Sequence, residues 1–360
     1  MPTSLTIHGR RCALRILIIG GTRFIGPPVV RRLHAAGHAV TLFHRGLSEV
    51  ELPAEVAHIH GERARIGEFA DQLQQVLPDV VLDMAAYSEA DAQAVSAAFR
   101  GLARRIIVIS SQDVYAAYGR FHRKEPGPTE ASAYNEDAPL RTALFPYRGN
   151  GRGLDDYEKI LVERAVSGSA ILPATILRLP MVYGGGDPQH RLLTELKRMD
   201  DGRPAILLEE RFAAWRWTRS YVENVAVAIV LAVTDTRATG RTYNVGDSNT
   251  LSYADWVRAI ARNAGWTGEV VVLPNGRLPD KLQPPAGDYD QHLVADTTRI
   301  RNELGYQDIA PLDVGLRLTI DWERAHRPAG IEKLFDYPAE DAVLAEVRGA
   351  GRPAAPPPVS

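Results

Sequence analysis

The first half of the chain alternates short apolar runs with segments whose apolar residues recur at helical spacing. The apolar runs, which are typical of buried strands, are RILIIG (15–20), AVTLF (39–43), VVLDMAA (80–86), RIIVISS (105–111) and ATILRL (174–179). Helical spacing is found between these runs at 25–36, from about 90 to 102 and at 155–166. This β–α alternation predicts an α/β fold with a doubly wound parallel sheet and right-handed crossovers.

A glycine-rich turn, GGTRFIG, joins the first predicted strand to the first predicted helix. Its glycines have the spacing that lets a backbone approach a pyrophosphate at a helix N-terminus. The context predicts a Rossmann-type dinucleotide-binding fold. The turn that we expect to contact the dinucleotide consists of Gly20, Gly21, Thr22, Arg23, Phe24, Ile25 and Gly26.

The end of the second strand indicates which dinucleotide is bound. NAD-binding folds usually place an Asp or Glu there to hold the ribose 2′-hydroxyl, but this chain has His44 and Arg45. Arg45 and Arg23 could both reach a 2′-phosphate, for which the guanidinium fork is suited. NADP is therefore favoured as the cofactor, and NAD stays open.

The pattern changes beyond Pro180. We expect a dinucleotide-binding domain at 13–180, whose sheet also receives 219–246, and a smaller C-terminal substrate-binding lobe at 181–345. The Pro/Ala-rich tail at 349–360 is predicted to be disordered. The stretch 117–153, rich in Pro, Gly and charge, is predicted to be an irregular lid over the substrate.

Composition excludes several classes of function. The net charge of −2 and the lack of a basic, aromatic face argue against a nucleic-acid partner. No apolar run approaches the length of a membrane span, and a single cysteine fits a reducing compartment, so a cytoplasmic protein is expected. No metal is expected, because His58, His60 and His190 have no metal-site spacing with cysteine or with each other.

Several motifs together resemble the extended short-chain dehydrogenase/reductases of the nucleotide-sugar epimerase and dehydratase group. They are GGTRFIG, MAA (84–86), SSQDVY (110–115), KILVE (159–163), LRLPMVYGGGDP (177–188), YVENVA (221–226) and YNVG (243–246). GGTRFIG with LFHRG also resembles an atypical branch that includes chloroplast stem-loop-binding proteins. The resemblance implies hydride chemistry at a sugar carbinol by a Ser or Thr, a Tyr that acts as the base, and a Lys. It leaves a homodimer open.

Ser111 and Lys159 match the family's serine and lysine. The tyrosine is expected four residues before the lysine, one helical turn away, but Asp155 stands there. Tyr157 would point elsewhere on a regular helix. Four alternatives stay open: Asp155 acts as the base, the helix starts late and Tyr157 turns in, Tyr147 substitutes, or the redox chemistry has been lost.

The two residues after the serine bear on the reaction type. In the sugar 4,6-dehydratases that this group resembles, they are an acid and a base. Here they are Gln112 and Asp113, so Asp113 could remove a proton beside a transient ketone, whereas Gln112 cannot donate an acidic proton.

The resemblance also implies further binding residues. Those expected at the cofactor, besides the turn, His44, Arg45 and Lys159, are Glu62, Arg63, Ala85, Ala86 and Pro180. Met181 and Trp217 stand where many members hold a nucleotide diphosphate with Asn and Arg, so a nucleoside or a smaller glycoside stays open as substrate. The residues expected at the substrate are Tyr87, Gln112, Met181, His190, Arg216 and Arg219.

The sequence thus predicts an NAD(P)-dependent sugar epimerase or dehydratase. Such an enzyme oxidises a hydroxyl transiently, abstracts a proton or eliminates at the adjacent carbon, and returns the hydride. The alternatives are a cofactor-bound binding protein without turnover, such as one that binds RNA, and an NADPH-dependent reductase.

Overall fold

The computed structural model describes residues 13–48, 50–151 and 153–350. In chain order its strands are β1 (Arg15–Ile19), β2 (Ala39–His44), β3 (Ala57–His60), β4 (Val80–Asp83), β5 (Arg105–Ser111), β6 (Ala174–Leu179), β7 (Met181–Tyr183), β8 (Ala205–Glu209), β9 (Arg219–Tyr221), β10 (Thr242–Asn244) and β11 (Glu269–Leu273). The α-helices are α1 (Gly26–Ala35), α2 (Ala70–Val76), α3 (Glu89–Phe99), α4 (Ala116–Phe121), α5 (Lys159–Val166), α6 (Leu193–Asp200), α7 (Glu210–Ala214), α8 (Val222–Thr234), α9 (Tyr253–Ala264), α10 (Thr298–Leu304), α11 (Leu312–Ala325) and α12 (Tyr337–Ala350). Short 3₁₀ segments lie at Arg63–Phe69, Gln112–Val114, Thr236–Ala238, Asp280–Leu282 and Ile331–Leu334.

Seven strands form one parallel sheet in the order β10-β6-β5-β4-β1-β2-β3. Its strands are apolar on both sides because helices cover both faces. Ile16 and Ile18 of β1 face the cluster that holds α1 and α8, whereas Leu17 and Ile19 face the cluster that holds α3 and α5. The predicted doubly wound Rossmann-type fold is confirmed.

The chain beyond β6 builds the second part of the molecule. Two small parallel sheets, β7 with β9 and β8 with β11, lie beside α6, α7, α9 and α11. Strand β10 returns to the main sheet and pairs with β6. Helix α12 continues to residue 350, so residues 349 and 350 are helical where a disordered tail was expected. The rest of that predicted tail, 351–360, lies outside the described residues.

The stretch 117–153 is more ordered than its composition suggested. Helix α4 occupies its beginning, and the side chains of Tyr118, Phe121 and Tyr134 are buried in a common apolar cluster with Trp215. The expectation of an irregular segment throughout is therefore wrong for its first part. Within the described part of the chain, no helix is long and apolar enough to cross a membrane.

Candidate active site

The carboxyl ends of the central strands border a groove of about 560 Å³. Its floor is the glycine turn after β1, where Gly20 and Gly21 have φ values of +88° and +85°. A Cβ on Gly26 would lie 2.3 Å from the backbone of Gly21, so α1 can approach the turn only with glycine at its first position. The predicted cofactor residues that line the groove are Gly20, Gly21, Thr22, Arg23, Phe24, Ile25, His44, Arg45, Glu62, Arg63 and Ala85. A strand, a glycine turn and a helix N-terminus in this arrangement fit a dinucleotide.

The outer end of the groove is basic. Arg23 and Arg45 are both exposed there, and Arg23 Nε donates to Ser48 Oγ over 2.8 Å. Burial lowers the pKa of His44, and His58 and His60 lower it further.

Arg63 lines the groove, but acidic neighbours hold its guanidinium. It donates two hydrogen bonds to the carboxylate of buried Asp83 and pairs with Asp91. Glu62 is exposed at the groove. Arg63 therefore stabilises the wall of the groove. The sequence does not predict the role of Asp83, because its partner Arg63 comes from a distant segment.

Lys159 is buried at the first position of α5. Its Nζ donates to the backbone oxygens of Ala86 and Ile109, the latter over 2.9 Å, and lies 5.0 Å from the ring centre of Tyr87. Burial lowers the pKa of Lys159 to about 8. Ala86 thus serves as an acceptor for Lys159 and not as a wall of the groove, while half-exposed Tyr87 lines the groove.

Tyr157 lies beside Lys159 because helix α5 begins later than the sequence predicted. The predicted helix at 155–166 begins at Lys159, and Glu158 before it is extended, with φ −154° and ψ 99°. In an extended segment, residues two apart point to the same side. The Lys159 Nζ accordingly lies 5.7 Å from the centre of the Tyr157 ring. Ser111 completes the group, as it lies close enough to Tyr157 to lower the pKa of its hydroxyl, against the larger raising effect of burial.

The late helix start has a cause in the side chain of Glu158. Glu158 is fully buried, forms an ion pair with Arg141 at 3.0 Å, and accepts a hydrogen bond from Ile160 N as the N-cap. An N-cap residue has non-helical dihedral angles, so the helix cannot extend back through residue 158. Neither Arg141 nor Glu158 carried a signal in the sequence.

Asp113 lies at the centre of the polar cluster. One carboxylate oxygen, Oδ2, accepts hydrogen bonds from the hydroxyls of Tyr157 at 2.9 Å and Tyr147 at 3.0 Å. The other, Oδ1, is buried without a hydrogen-bond partner among the described residues. Burial raises the pKa of Asp113, against the lowering effect of Arg141 and the two tyrosines. Burial and the nearby carboxylate also raise the pKa of Tyr157 well above its usual value.

Asp155 lies outside this cluster. It is exposed, and its Oδ1 accepts a hydrogen bond from Gly149 N at 2.7 Å, while its backbone oxygen accepts one from Arg148. These contacts hold the loop between Arg148 and Asp155 in place. The expectation that Asp155 takes the tyrosine's place is wrong, because the late helix start removes it from the turn before Lys159.

Two predicted substrate residues are part of the core. Gln112 is fully buried, and its amide contacts the backbone oxygen of Val245 at 2.8 Å and the hydroxyl of Tyr134. Met181 is buried in the main apolar cluster. The 3₁₀ turn that follows Ser111 sends Gln112 inward, so neither residue is placed to contact a substrate.

The other predicted substrate residues are held elsewhere. His190 contacts buried Glu323 at 2.7 Å and stacks on Trp322 of α11. Arg219 is buried over Trp256, and burial lowers its pKa to about 10. Arg216 donates to the backbone oxygen of Thr250. The last of the cofactor residues, Pro180, is partly buried between β6 and β7.

Comparison with known proteins assigns this arrangement to a family. The sequence profile described as the NAD dependent epimerase/dehydratase family matches residues 16–246, well over half of the chain. The chain belongs to that family. The predicted resemblance to extended short-chain dehydrogenase/reductases and the predicted NAD-dependent enzyme of epimerase or dehydratase type are thereby confirmed.

Individual relatives are more distant. The chain is 27% identical over 293 residues to 2′-dehydrokanamycin reductase of Streptomyces kanamyceticus, covering 79% of this chain and 75% of the relative. It is 24% identical to the chloroplast stem-loop binding protein of 41 kDa b of Arabidopsis thaliana, covering 92% and 84%. It is 25% identical to dTDP-glucose 4,6-dehydratase of Streptomyces griseus, covering 87% and 94%.

A solved structure shares the fold. The enzyme WbmG of Bordetella bronchiseptica, in complex with NAD and UDP, superimposes with a TM-score of 0.65 at 18% identity, covering 87% of this chain and 96% of that one.

Proposed function

We propose that this family member oxidises a hydroxyl-bearing carbon of a sugar, exchanges a proton at the adjacent carbon, and returns the hydride. The proposal rests on one observation: Ser111, Tyr157 and Lys159 meet next to Tyr87 and Ile109, two residues that line the dinucleotide groove. When bound, NAD or NADP would accept the hydride from the carbinol carbon.

Tyr157 would take the proton from the sugar hydroxyl during oxidation and give it back on return. Its raised pKa keeps the hydroxyl protonated at neutral pH, so Tyr157 can accept a proton only if it passes its own proton on. The hydrogen bond from Tyr157 to Asp113 gives the proton a route from the Tyr157 oxygen to the Asp113 carboxylate. Burial raises the pKa of Asp113, which makes its carboxylate a better proton acceptor. Ser111 would orient the substrate hydroxyl, and Lys159 would place positive charge beside the tyrosine.

The buried position of Gln112 favours epimerisation over elimination. Elimination of a hydroxyl needs an acid at the leaving oxygen, and Gln112, which stands in that acid's place, is turned into the core. Asp113, once it has passed the relayed proton on to solvent, would be the carboxylate that removes and restores a proton next to the ketone. The step then forms and breaks one C–H bond without loss of water.

Reduction of a sugar ketone is the second candidate. Tyr157 and Tyr147 both hold protons beside Asp113 and could donate one to a ketone oxygen. One relative of this chain is named 2′-dehydrokanamycin reductase, and its name specifies no nucleotide. Reduction would consume NADPH, whereas epimerisation would leave the cofactor unchanged.

The substrate need not carry a nucleotide diphosphate. Met181 is buried in the apolar core, and Trp217 donates from Nε1 to Tyr118 over 2.8 Å. Neither side chain can hold a phosphate as the Asn and Arg of many family members do. We therefore propose a sugar bound through its hydroxyls, with NADP preferred over NAD because Arg23 and Arg45 line the outer groove.

The experiment has two stages. First, the protein is denatured and any released nucleotide is identified by mass. Second, it is incubated in deuterated water with NADP⁺ or NADPH and, separately, UDP-glucose, dTDP-glucose, adenosine and 2′-dehydrokanamycin. Deuterium in a recovered sugar, without net cofactor change, supports epimerisation, and net oxidation of NADPH supports reduction. A protein that neither binds NAD(P) nor changes any of these compounds would contradict both candidates.

A further inference from the structure

Three histidines meet at the outer edge of the main sheet. His44 ends β2, and His58 and His60 lie on β3. Alternate residues of a strand share a face, so His58 and His60 point to the same side. The parallel register pairs His44 with His60 and Leu42 with His58, which brings His44 beside both rings. The ring centres lie 5.0 Å apart for His44–His58, 4.8 Å for His44–His60 and 6.1 Å for His58–His60.

We propose that these three imidazoles bind a divalent transition metal of the zinc class. One nitrogen from each ring lies within 4.8 Å of the other two. Tetrahedral zinc with three imidazole ligands needs nitrogens about 3.3 Å apart, given Zn–N distances of about 2.0–2.1 Å. His58 and His60 are exposed, so rotation of their rings can open the 2.7 Å contact between His44 and His58 and bring the longer nitrogen–nitrogen distances down towards 3.3 Å.

The existing hydrogen bond shows that two of the nitrogens already face each other. His44 Nε2 lies 2.7 Å from His58 Nδ1, and one proton is shared between them. When a metal ion takes this position, the His44 proton moves from Nε2 to Nδ1, and the 3.2 Å contact from Gly46 N to that atom is given up to solvent.

Imidazole is a preferred ligand for Zn²⁺, Ni²⁺ and Cu²⁺ and a poor one for Mg²⁺ and Ca²⁺. Three protein ligands leave one coordination position open. The spacing within the sequence gave no sign of the site, because His44 comes from a neighbouring strand and only the sheet brings it to His58 and His60. The site adjoins the cofactor groove, which His44 also lines, but the proposal does not depend on the proposed function, since the chemistry proposed there takes place at Tyr157.

Metal binding to the full chain, without a histidine tag and after treatment with a chelator, tests the site. Co²⁺ is titrated while its visible absorption is followed, and Zn²⁺ retained after dialysis is measured by elemental analysis. The matched variants are His58→Gln and His60→Gln, both at exposed positions. His34→Gln is the control, because His34 lies on α1 and pairs with Glu55 outside the cluster. Thermal unfolding without metal checks that each variant is folded.

The expected result is one equivalent of metal and the intense absorption of tetrahedral cobalt in the wild type and in His34→Gln. Loss of an outer-shell partner alone typically weakens metal affinity 10–100-fold, so each ligand variant should lose at least about tenfold. The proposal is overturned if the wild type retains no zinc, or if both ligand variants bind as tightly as the wild type.

Discussion

The hydroxyl of Tyr157 donates a 2.9 Å hydrogen bond to Oδ2 of Asp113. The two residues lie 44 positions apart, on the segment before α5 and on the 3₁₀ turn after β5. This contact joins the proton of the tyrosine to a buried carboxylate and places both beside Ser111 and Lys159.

Asp113→Asn should stabilise the protein at neutral pH while it lowers activity. Because burial raises the pKa of Asp113, the unfolded chain releases this proton from about pH 3.8 upward, whereas the native state holds it to higher pH. Stability from this group is therefore greatest at low pH and is lost as pH rises through that window. The gain in the free energy of unfolding should be present at pH 7 and shrink as the pH falls towards 4. Urea unfolding at several pH values checks this, with Asp155→Asn as the exposed control.

A variant Asp113→Asn that is less stable than the wild type at pH 7 would show that the ionised carboxylate is favoured by its neighbours. In that case the lowering effect of Arg141 and the tyrosines on the pKa of Asp113 outweighs the raising effect of burial, and the prediction of a raised pKa is wrong.

Arg141→Met should destabilise the protein strongly. It leaves the carboxylate of Glu158 buried without its partner, a change that typically costs about 3–5 kcal/mol. Arg65→Met is the control, because its pair with Glu68 is exposed on both sides and its loss should change stability far less. Urea unfolding at pH 7 measures both. Equal effects would mean that the Arg141–Glu158 pair does not fix the start of α5.

Gly26→Ala should reduce cofactor affinity at least about tenfold, which corresponds to about 1.4 kcal/mol. The added Cβ would lie 2.3 Å from the backbone of Gly21, so either the turn or α1 must move. Gly67→Ala is a matched control, because a Cβ at Gly67 meets nothing within 4 Å. Calorimetric titration with NADP⁺ and NAD⁺ gives the affinities. Unchanged affinity in folded Gly26→Ala would remove the glycine turn from the cofactor site.

Arg23→Gln and Arg45→Gln should weaken NADP⁺ binding and leave NAD⁺ binding nearly unchanged. A hydrogen bond to a charged group contributes about 1.5–3 kcal/mol, so each change should cost about tenfold or more in NADP⁺ affinity. Arg104→Gln, an exposed arginine that pairs with Asp79 at the other end of the sheet, is the control. If the wild type binds NAD⁺ as tightly as NADP⁺, the phosphate assignment is wrong.

The sequence was sufficient for the parts of the fold that depend on local pattern. The apolar runs, the helical spacing and the GGTRFIG turn correctly predicted five strands of the main sheet and the helix after the first of them. It was not sufficient where a distant partner decides the local structure. The start of α5 depends on the ion pair between Glu158 and Arg141, which lies 17 residues away in the sequence. Because the helix starts late, Asp155 stays in an exposed loop while Tyr157 lies beside Lys159. The meeting of His44 with His58 and His60 likewise depends on strand register.

The most direct test of the central claim is the rate of hydride transfer in Tyr157→Phe. Reduction of bound NADP⁺, or oxidation of bound NADPH, is followed in a single turnover with whichever of the tested sugars the wild type converts. General acid–base groups typically contribute about 10²–10⁴ in rate, so Tyr157→Phe should slow the step by about that factor with cofactor affinity unchanged. Tyr147→Phe should slow it less, and Asp155→Asn should leave it unchanged. A Tyr157→Phe variant with the wild-type rate, or an Asp155→Asn variant that loses it, would contradict the account.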